Sequence, residues 1–149
     1  MTDFLIEKMS PSHVGEIARL EKECFSTPWS EDGLKSELNN AFARFFVATY
    51  AGEIAGYVGA HNVLGEVYIT NVAVFEKFRR KGVAKKLIDA LLESAKAENG
   101  NFVTLEVRES NLPAISLYEK LGYERVGLRK DFYSSPVENA LLMTKFNRR

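Results

Sequence analysis

The residues best suited to chemistry in this sequence form a basic hexapeptide at 79–84, Arg-Arg-Lys-Gly-Val-Ala, between a strand-like run and a strongly periodic helix. A glycine turn that opens a helix leaves backbone N–H groups unpaired at the positive end of the helix dipole. Such a turn binds phosphate, and the neighbouring cations favour a ligand with more than one phosphate. An ordinary turn with solvated cations is the alternative, but the strand–turn–helix context favours a phosphate site.

The hexapeptide differs from the two common nucleotide-binding loops. It has a single glycine, so it matches neither G-x-x-x-x-G-K-[ST] of P-loops nor G-x-G-x-x-G of dinucleotide folds. Its pattern is R-x-x-G-x-A, in which Gly82 allows a ligand close to the backbone and Ala84 lets the helix begin near the same surface. The loop therefore predicts a phosphate site outside those two classes.

Three residues further along the chain could hold a bound ligand or act on it. Glu106 stands in the middle of a strand, on the face opposite Val103 and Leu105, where it is either a general base or part of a polar outer face. Tyr118 shares the apolar face of a helix, so it is either a packed core tyrosine or an acid that returns a proton to a leaving thiolate. Ser110 or Asn111 is expected to cap that helix, and Asn111 could also contact a ligand.

The other reactive side chains predict no separate site. Cys24 is the single cysteine, which excludes an internal disulfide. It falls on an apolar helical stripe, so it is expected to be a small core hydrophobe rather than a nucleophile. His13 and His61 lie far apart and lack the spacing of metal ligands, so no metal site is predicted.

The composition limits the class of protein. The chain has 149 residues, with 20 Lys and Arg against 20 Asp and Glu, a balance that gives no support to broad attraction to nucleic acid or membranes. It contains no repeat or linker, so one domain over residues 1–149 is expected. The chain shows no signal-peptide pattern and no membrane-length apolar run, and a single cysteine fits a reducing compartment, so we predict a cytoplasmic protein.

The apolar periodicity predicts the element order β-α-α-β-β-β-α-β-α-β-β. Strands are expected at residues 4–7, 44–50, 54–63, 67–74, 102–108, 123–128 and 139–146. Helices are expected at residues 14–25, 30–38, 83–98 and 112–121. Ser12 and Ser30 could cap the first two helices, while Asn99 and Gly122 are expected to close the last two. The polar and aromatic segment 129–138 is expected to be a loop.

The order of the elements predicts the topology of the sheet. The stretch 67–108 is strand, helix and strand, which requires a right-handed crossover between two parallel strands. With an antiparallel meander before it, this predicts an α/β fold with a mixed, mostly antiparallel sheet and helices on both faces. Ligands of such sheets collect at the carboxyl ends of the parallel strands, where the hexapeptide and residues 106–111 both lie.

Four segments of the chain resemble the GCN5-related N-acetyltransferase (GNAT) family. They are Asn-Val-Ala-Val at 71–74, the hexapeptide at 79–84, Leu-Glu-Val-Arg-Glu-Ser-Asn at 105–111, and Ala-Ile-Ser-Leu-Tyr-Glu-Lys-Leu-Gly-Tyr at 114–123. The resemblance implies the GNAT-like fold, N-acetyltransferase activity and acetyl-coenzyme A as the donor. The last glycine of the family loop is Ala84 here, a variant that the family accepts.

The resemblance also implies roles for single residues. Glu106 would be the general base and Tyr118 the general acid, with direct attack by the amine in a ternary complex and no acyl-enzyme. Asn111 would contact the coenzyme from the neighbouring strand end. The pantetheine arm would lie along the backbone of Val72, Ala73 and Val74. The pyrophosphate would be bound by the loop of Arg79, Arg80, Lys81, Gly82, Val83, Ala84 and Lys85.

Segments 24–30, 105–108 and 129–133 favour one subgroup of that family, enzymes that acetylate the N-terminal alanine of a small-subunit ribosomal protein. An α-amine, with a pKa of about 7.7–8.0, needs less help from a base than lysine, near 10.4. Two alternatives remain: an acetyltransferase for a lysine side chain, a polyamine or another small amine, and a non-catalytic coenzyme A sensor. The sequence leaves the oligomeric state open.

Overall fold

A computed structural model describes residues 3–147 of the protein. A seven-stranded sheet has the strand order β1-β2-β3-β4-β5-β7-β6. The strands are β1 (Leu5–Lys8), β2 (Ala43–Tyr50), β3 (Glu53–Val63), β4 (Glu66–Val74), β5 (Phe102–Arg108), β6 (Glu124–Tyr133) and β7 (Glu138–Phe146). The α-helices are α1 (Val14–Cys24), α2 (Glu31–Glu37), α3 (Val83–Ala97) and α4 (Leu112–Lys120). Only β4 and β5 pair in parallel among the described strands, so the predicted mixed sheet with one crossover is confirmed.

The middle of the sheet is covered on both faces and one end is open. Residues 54–60 of β3 are all buried, so side chains that point to either face are shielded. Helix α3 packs on this region and buries Leu87, Ile88 and Leu91 at the helical spacing of the sequence. In contrast, nearly every residue of β6 is exposed. The apolar core therefore lies under β2–β4, and the β6 end is accessible.

Strands β4 and β5 run side by side only at their beginnings. Their parallel pairing extends from Glu66 to Tyr68 in β4 and stops there within the described residues. A bulge follows in β4, where Thr70 is the extra residue against β3 and its hydroxyl donates to the Gly59 carbonyl oxygen at 3.0 Å. A Cβ on Gly59 would lie 2.6 Å from the Phe45 ring, so this close approach requires glycine. The bulge turns β4 away from β5 and leaves a slot between their carboxyl halves.

The helix caps follow the sequence at two of three expected positions. The Ser30 hydroxyl accepts a hydrogen bond from Gly33 N at 2.9 Å, and Asn111 accepts one from Ala114 N at 3.3 Å, as expected. The expectation for Ser12 was wrong, because Ser10 and His13 form a capping box around a short 3₁₀ turn that precedes α1. The prolyl residue at 11 starts that turn early and moves the cap upstream.

The expected loop at 129–138 was also partly wrong. Strand β6 continues to Tyr133, with Arg129 opposite Ala140 and Tyr133 opposite Glu138 of β7. A bulge between those two pairs accommodates the polar residues. Pairing with β7 thus overrides the weak strand propensity of this segment, and it brings the Arg129 side chain within reach of Glu106 in β5.

Candidate active site

The start of α3 is a glycine turn without a side-chain cap. Gly82 is in the left-handed region (φ 78°) and no side chain caps the helix. The first helical bond of the turn runs from Lys86 N to the Gly82 carbonyl oxygen at 3.1 Å. The N–H groups of the first turn therefore lack helical acceptors and lie at the positive end of the helix dipole. This geometry suits the phosphate group that the sequence predicts here.

The cations of the loop divide into two kinds. The Arg79 guanidinium donates from Nε to the Val74 carbonyl oxygen at 3.0 Å, so it ties the loop to the end of β4. Lys85 pairs with Asp89 along the helix at 2.7 Å. Arg80 and Lys81 are exposed. Of the four cationic side chains in the predicted phosphate loop, two therefore already have protein partners and two face solvent.

The carboxyl half of β4 offers backbone groups to the slot. Val72, Ala73 and Val74 pair with β3 along one edge of the strand. Their other edge faces away from β3 and is not paired with β5 in the described part of the chain. Extended backbone with free donors and acceptors can bind an amide-containing chain as an added strand does.

Glu106 lies with Tyr68 and Arg129 on a part of the sheet face that is lined only by strand residues among residues 3–147. We call these three residues and this surface the open face. The side chain of Glu106 is only 4% exposed, and it pairs through Oε2 with Arg129 Nε at 2.7 Å. Its Oε1 accepts a hydrogen bond from the Tyr68 hydroxyl. The predicted alternation is confirmed, since Val103 and Leu105 are buried on the opposite face. Glu106 also stands two residues beyond Thr104, which is the last residue of β5 that pairs with β4 before the slot begins.

Two tyrosines near Glu106 are held protonated. Burial raises the pKa of Tyr68 well above its ordinary value, and the hydrogen bond to Glu106 adds to the shift. Burial raises the pKa of Tyr133 to about 12, and the charge of Glu106 contributes. Both hydroxyls therefore act as donors near neutral pH.

Arg108 fixes the segment between β6 and β7. Its guanidinium donates to the carbonyl oxygens of Ser134, at 3.2 Å, and Pro136, at 3.0 Å, and it stacks 4.4 Å from the centre of the Tyr133 ring. It also pairs with Glu138 at 3.2 Å. Hydrogen bonds from Ser110 and then Arg108 hold the pKa of Glu138 below its ordinary value. The end of β5 thereby holds the segment that borders the open face.

Tyr118 lies in the core side of α4 and is 7% exposed. Burial raises its pKa well above the ordinary value. Its ring packs edge-on against Tyr123, with centroids 5.3 Å apart. No hydrogen bond joins it to Glu106 among the described residues, but Tyr133 lies near enough to add to the rise in the pKa of Tyr118, and Glu106 adds to the rise in the pKa of Tyr133. The core interpretation of Tyr118 therefore holds, and its predicted role as an acid stays a prediction.

Sequence reasoning overlooked two partners of Glu106. Tyr68 could have been found, because it alternates with the apolar Val67 and Ile69 in β4 and so points to the other face. Arg129 was assigned to a loop, and no local signal places it beside Glu106. Cys24 is half-buried, and burial raises the pKa of its thiol although Arg79 lies nearby, so it is not an activated nucleophile.

Residues 3–147 contain no cluster of three or more His, Cys, Asp or Glu side chains arranged to hold a metal ion. Within the same residues, every helix is too short or too polar to cross a membrane.

Comparison with known proteins gives consistent matches along the chain. Residues 14–123 match the family model described as the acetyltransferase (GNAT) family. A putative ribosomal protein bS18-alanine N-acetyltransferase from Bacillus subtilis is 32% identical over 143 residues, 95% of each chain. The crystal structure of the ribosomal-protein-S18-alanine N-acetyltransferase from Escherichia coli has a TM-score of 0.90 at 26% identity, over 99% of this chain and 96% of that one. An Arabidopsis thaliana structure in complex with acetyl-CoA shares the fold, with a TM-score of 0.90 at 21% identity over 97% and 99%.

Proposed function

This chain belongs to the acetyltransferase (GNAT) family and is an N-acetyltransferase, and from that premise we propose that it acetylates the N-terminal alanine of a small-subunit ribosomal protein. The observation that carries the proposal is the position of Glu106. A nearly buried carboxylate stands mid-strand, on the open face, beside the gap where β4 and β5 separate. A general base is needed at that place if a thioester lies in the gap and an amine arrives from the open face.

The residues around the slot fit acetyl-coenzyme A. The uncapped start of α3 suits the pyrophosphate, and exposed Arg80 and Lys81 suit the remaining phosphate charge. The unpaired edge of β4 suits the amides of the pantetheine arm. Asn111 uses its side-chain oxygen to cap α4, which leaves its amide N–H₂ for the coenzyme. In our proposal the loop 79–85, residues 72–74 and Asn111 bind the donor.

The chain's residues divide the chemistry of transfer among them. Glu106 accepts the proton of the attacking amine, directly or through water, and a strand N–H at or next to Val74 polarises the thioester carbonyl. Tyr118 returns a proton to the leaving thiolate. Transfer is direct, because Cys24 has the raised pKa of a buried thiol and supplies no nucleophile.

The charges of the open face favour a neutral amine. Its carboxylate, Glu106, is matched by the guanidinium of Arg129, and Glu138, at the start of β7 beside the open face, is matched by that of Arg108. A polyamine would need unmatched acids. At pH 7 about a tenth of an α-amine is uncharged, against well under a thousandth of a lysine side chain. An N-terminal amine therefore suits this surface better than lysine or spermidine.

The remaining features of the proposal follow from the acceptor. We propose one domain over residues 1–149 acting in the cytoplasm on the N-terminus of its protein partner, without direct contact with nucleic acid or membrane. The even balance of acidic and basic residues supports the last two points.

The test is acetylation of defined acceptors followed by mass spectrometry. Peptides that differ only in their first residue, an N-terminally blocked peptide with one lysine, and spermidine are compared at equal concentration. We expect the highest kcat/KM for the peptide that begins with alanine, with the acetyl group on its α-amine. Acetylation of spermidine or of lysine alone would contradict the proposed acceptor.

A further inference from the structure

Glu21 is a buried carboxylate that the proposed mechanism does not use. It lies on α1 at the helical spacing of the apolar residues Ile17 and Cys24, and its exposure is 0%. A carboxylate in such a place is costly unless donors surround it. Its presence on an apolar stripe therefore calls for a specific set of partners.

Those partners come from three separate parts of the chain. Trp29 N donates to Oε1 at 2.8 Å, and the Tyr57 hydroxyl donates to Oε2 at 2.6 Å. The Asn71 side-chain amide donates to both oxygens, at 2.9 and 2.8 Å. No Lys, Arg or His is among its hydrogen-bond donors in residues 3–147. Every donor is neutral: a backbone N–H, a tyrosine hydroxyl and a side-chain amide.

Two of these bonds reach the edges of the proposed site. Asn71 follows the β4 bulge and immediately precedes residues 72–74, which line the slot. Trp29 lies in the α1–α2 segment at 25–30, where its ring packs edge-on against Phe45. Tyr57 pairs with β4 next to the slot and anchors the network in the core.

The α1–α2 segment lies on the same face of the sheet as the open face, because the Trp29 ring packs on Phe45 and Phe45 lies opposite Gly59 of β3. Gly59 and His61 of β3 point to one face of the sheet and lie opposite Asn71 and Tyr68 of β4. Asn71, which bonds Glu21, thus shares a face with Tyr68, which bonds Glu106. Helix α1 covers one half of this face, and the open face is the other half.

We propose that Glu21 is a positioning residue that sets the donor slot and the α1–α2 segment together. Its bonds to Asn71 hold β4 in its bent path after the bulge, and its bond to Trp29 holds the α1–α2 segment on the sheet face that carries the open face. Glutamine has nearly the same shape but has one oxygen and an N–H₂ group, so it cannot accept hydrogen bonds from all of these donors at both positions. The part that concerns the acceptor rests on the proposed function.

The experiment compares Glu21→Gln with Glu98→Gln in the full-length protein. Glu98 pairs with Arg44 at 2.6 Å near the far end of α3, about 20 Å from the phosphate turn, so it controls for the loss of a structural carboxylate. Circular dichroism and thermal unfolding establish that each variant is folded. Calorimetry then gives the Kd of coenzyme A, and steady-state kinetics give the KM of the acceptor peptide.

We expect Glu21→Gln to raise both constants about tenfold, because a small displacement of positioning groups has large effects on binding and transfer. Glu98→Gln should leave both within twofold. A folded Glu21→Gln protein with both constants at their wild-type values would overturn the proposal. If Glu21→Gln does not fold, Asn71→Ala replaces it, and an unchanged Kd of coenzyme A then overturns the proposal.

The coenzyme measurement separates this inference from the proposed function. If the wild-type protein binds coenzyme A but acetylates no N-terminal peptide, the proposed acceptor is wrong, and the ratio of Kd values still decides the role of Glu21 at the slot. If the wild-type protein does not bind coenzyme A, the slot assignment is wrong and the proposal falls with it.

Discussion

The proposed donor side and the proposed acceptor side of the site use different kinds of groups. The donor side is built from backbone: the free edge of β4 and the open turn at Gly82. The acceptor side is built from side chains of three strands, Tyr68, Glu106 and Arg129. Most substitutions leave the backbone N–H and carbonyl groups in place, whereas a single substitution removes a side-chain group entirely. Substitutions on the donor side should therefore have graded effects, whereas loss of the proposed base on the acceptor side should have an abrupt one.

The sharpest contrast is expected from Glu106→Gln. Loss of the proposed base should lower kcat/KM about a thousandfold, the range of general acid–base catalysis. The Kd of coenzyme A should stay within twofold, because the donor side is unchanged. Steady-state kinetics and calorimetry check both values, and wild-type turnover in this variant would favour a coenzyme A sensor or another base.

Tyr118→Phe should have the next largest effect, a fall in kcat of about a hundredfold, because the leaving thiolate loses its proton source. Tyr123→Phe is a matched control in the adjoining ring. The buried Tyr123 hydroxyl has no hydrogen-bond partner among the described residues, so its removal should stabilise the fold by about 1 kcal/mol.

Activity should distinguish the two tyrosine variants. Tyr123→Phe should keep kcat within twofold and raise the midpoint of thermal unfolding. Equal losses of kcat in both variants would mean that Tyr118 acts through packing rather than as the acid.

The double change Arg80→Ala with Lys81→Ala tests the donor side. Removal of these two exposed cations should raise the KM of acetyl-coenzyme A about tenfold at low salt, since each exposed charge contributes up to about 1 kcal/mol to binding. The effect should shrink at high salt because exposed charges are screened. A fall in kcat rather than a rise in KM would contradict the division between the two sides.

Arg129→Gln should have the smallest effect of these substitutions, and the effect should be on the choice between an α-amine and a lysine side chain as acceptor. Removal of the guanidinium beside Glu106 should raise kcat/KM for a lysine peptide relative to an alanine-initiated peptide by about fivefold, equivalent to about 1 kcal/mol at an exposed position. Competition between the two peptides, read by mass spectrometry, measures the ratio. An unchanged ratio would mean that the charge of Arg129 does not select the acceptor.

The donor side could be anticipated because its signals are local. The turn residue Gly82, the helix period of α3 and the Asn111 cap each depend on a few neighbouring residues, and the structure confirms all three. The crossover follows from the order of elements, and the GNAT resemblance in the same segments is confirmed by the family match. The roles of the single donor-binding residues stay predictions.

The acceptor side could be anticipated only in part. The alternation in β5 placed Glu106 on the correct face. Arg129 could not be placed, because β6 extends past residue 128 only through its pairing with β7. Outside the site, Ser12 was wrongly predicted to cap α1, because a 3₁₀ turn precedes the helix and has Ser10 as its cap.

The sequence by itself determined most of the elements, the parallel crossover, the glycine turn at the start of α3 and the family. Only the tertiary structure decided which side chains meet. Glu21 shows the difference, because its donors lie 8, 36 and 50 residues away along the chain. Periodicity and capping are set by residues within about one helical turn, so they can be read in order. Partners of a buried carboxylate depend on strand register and helix docking, which arise when the whole core packs.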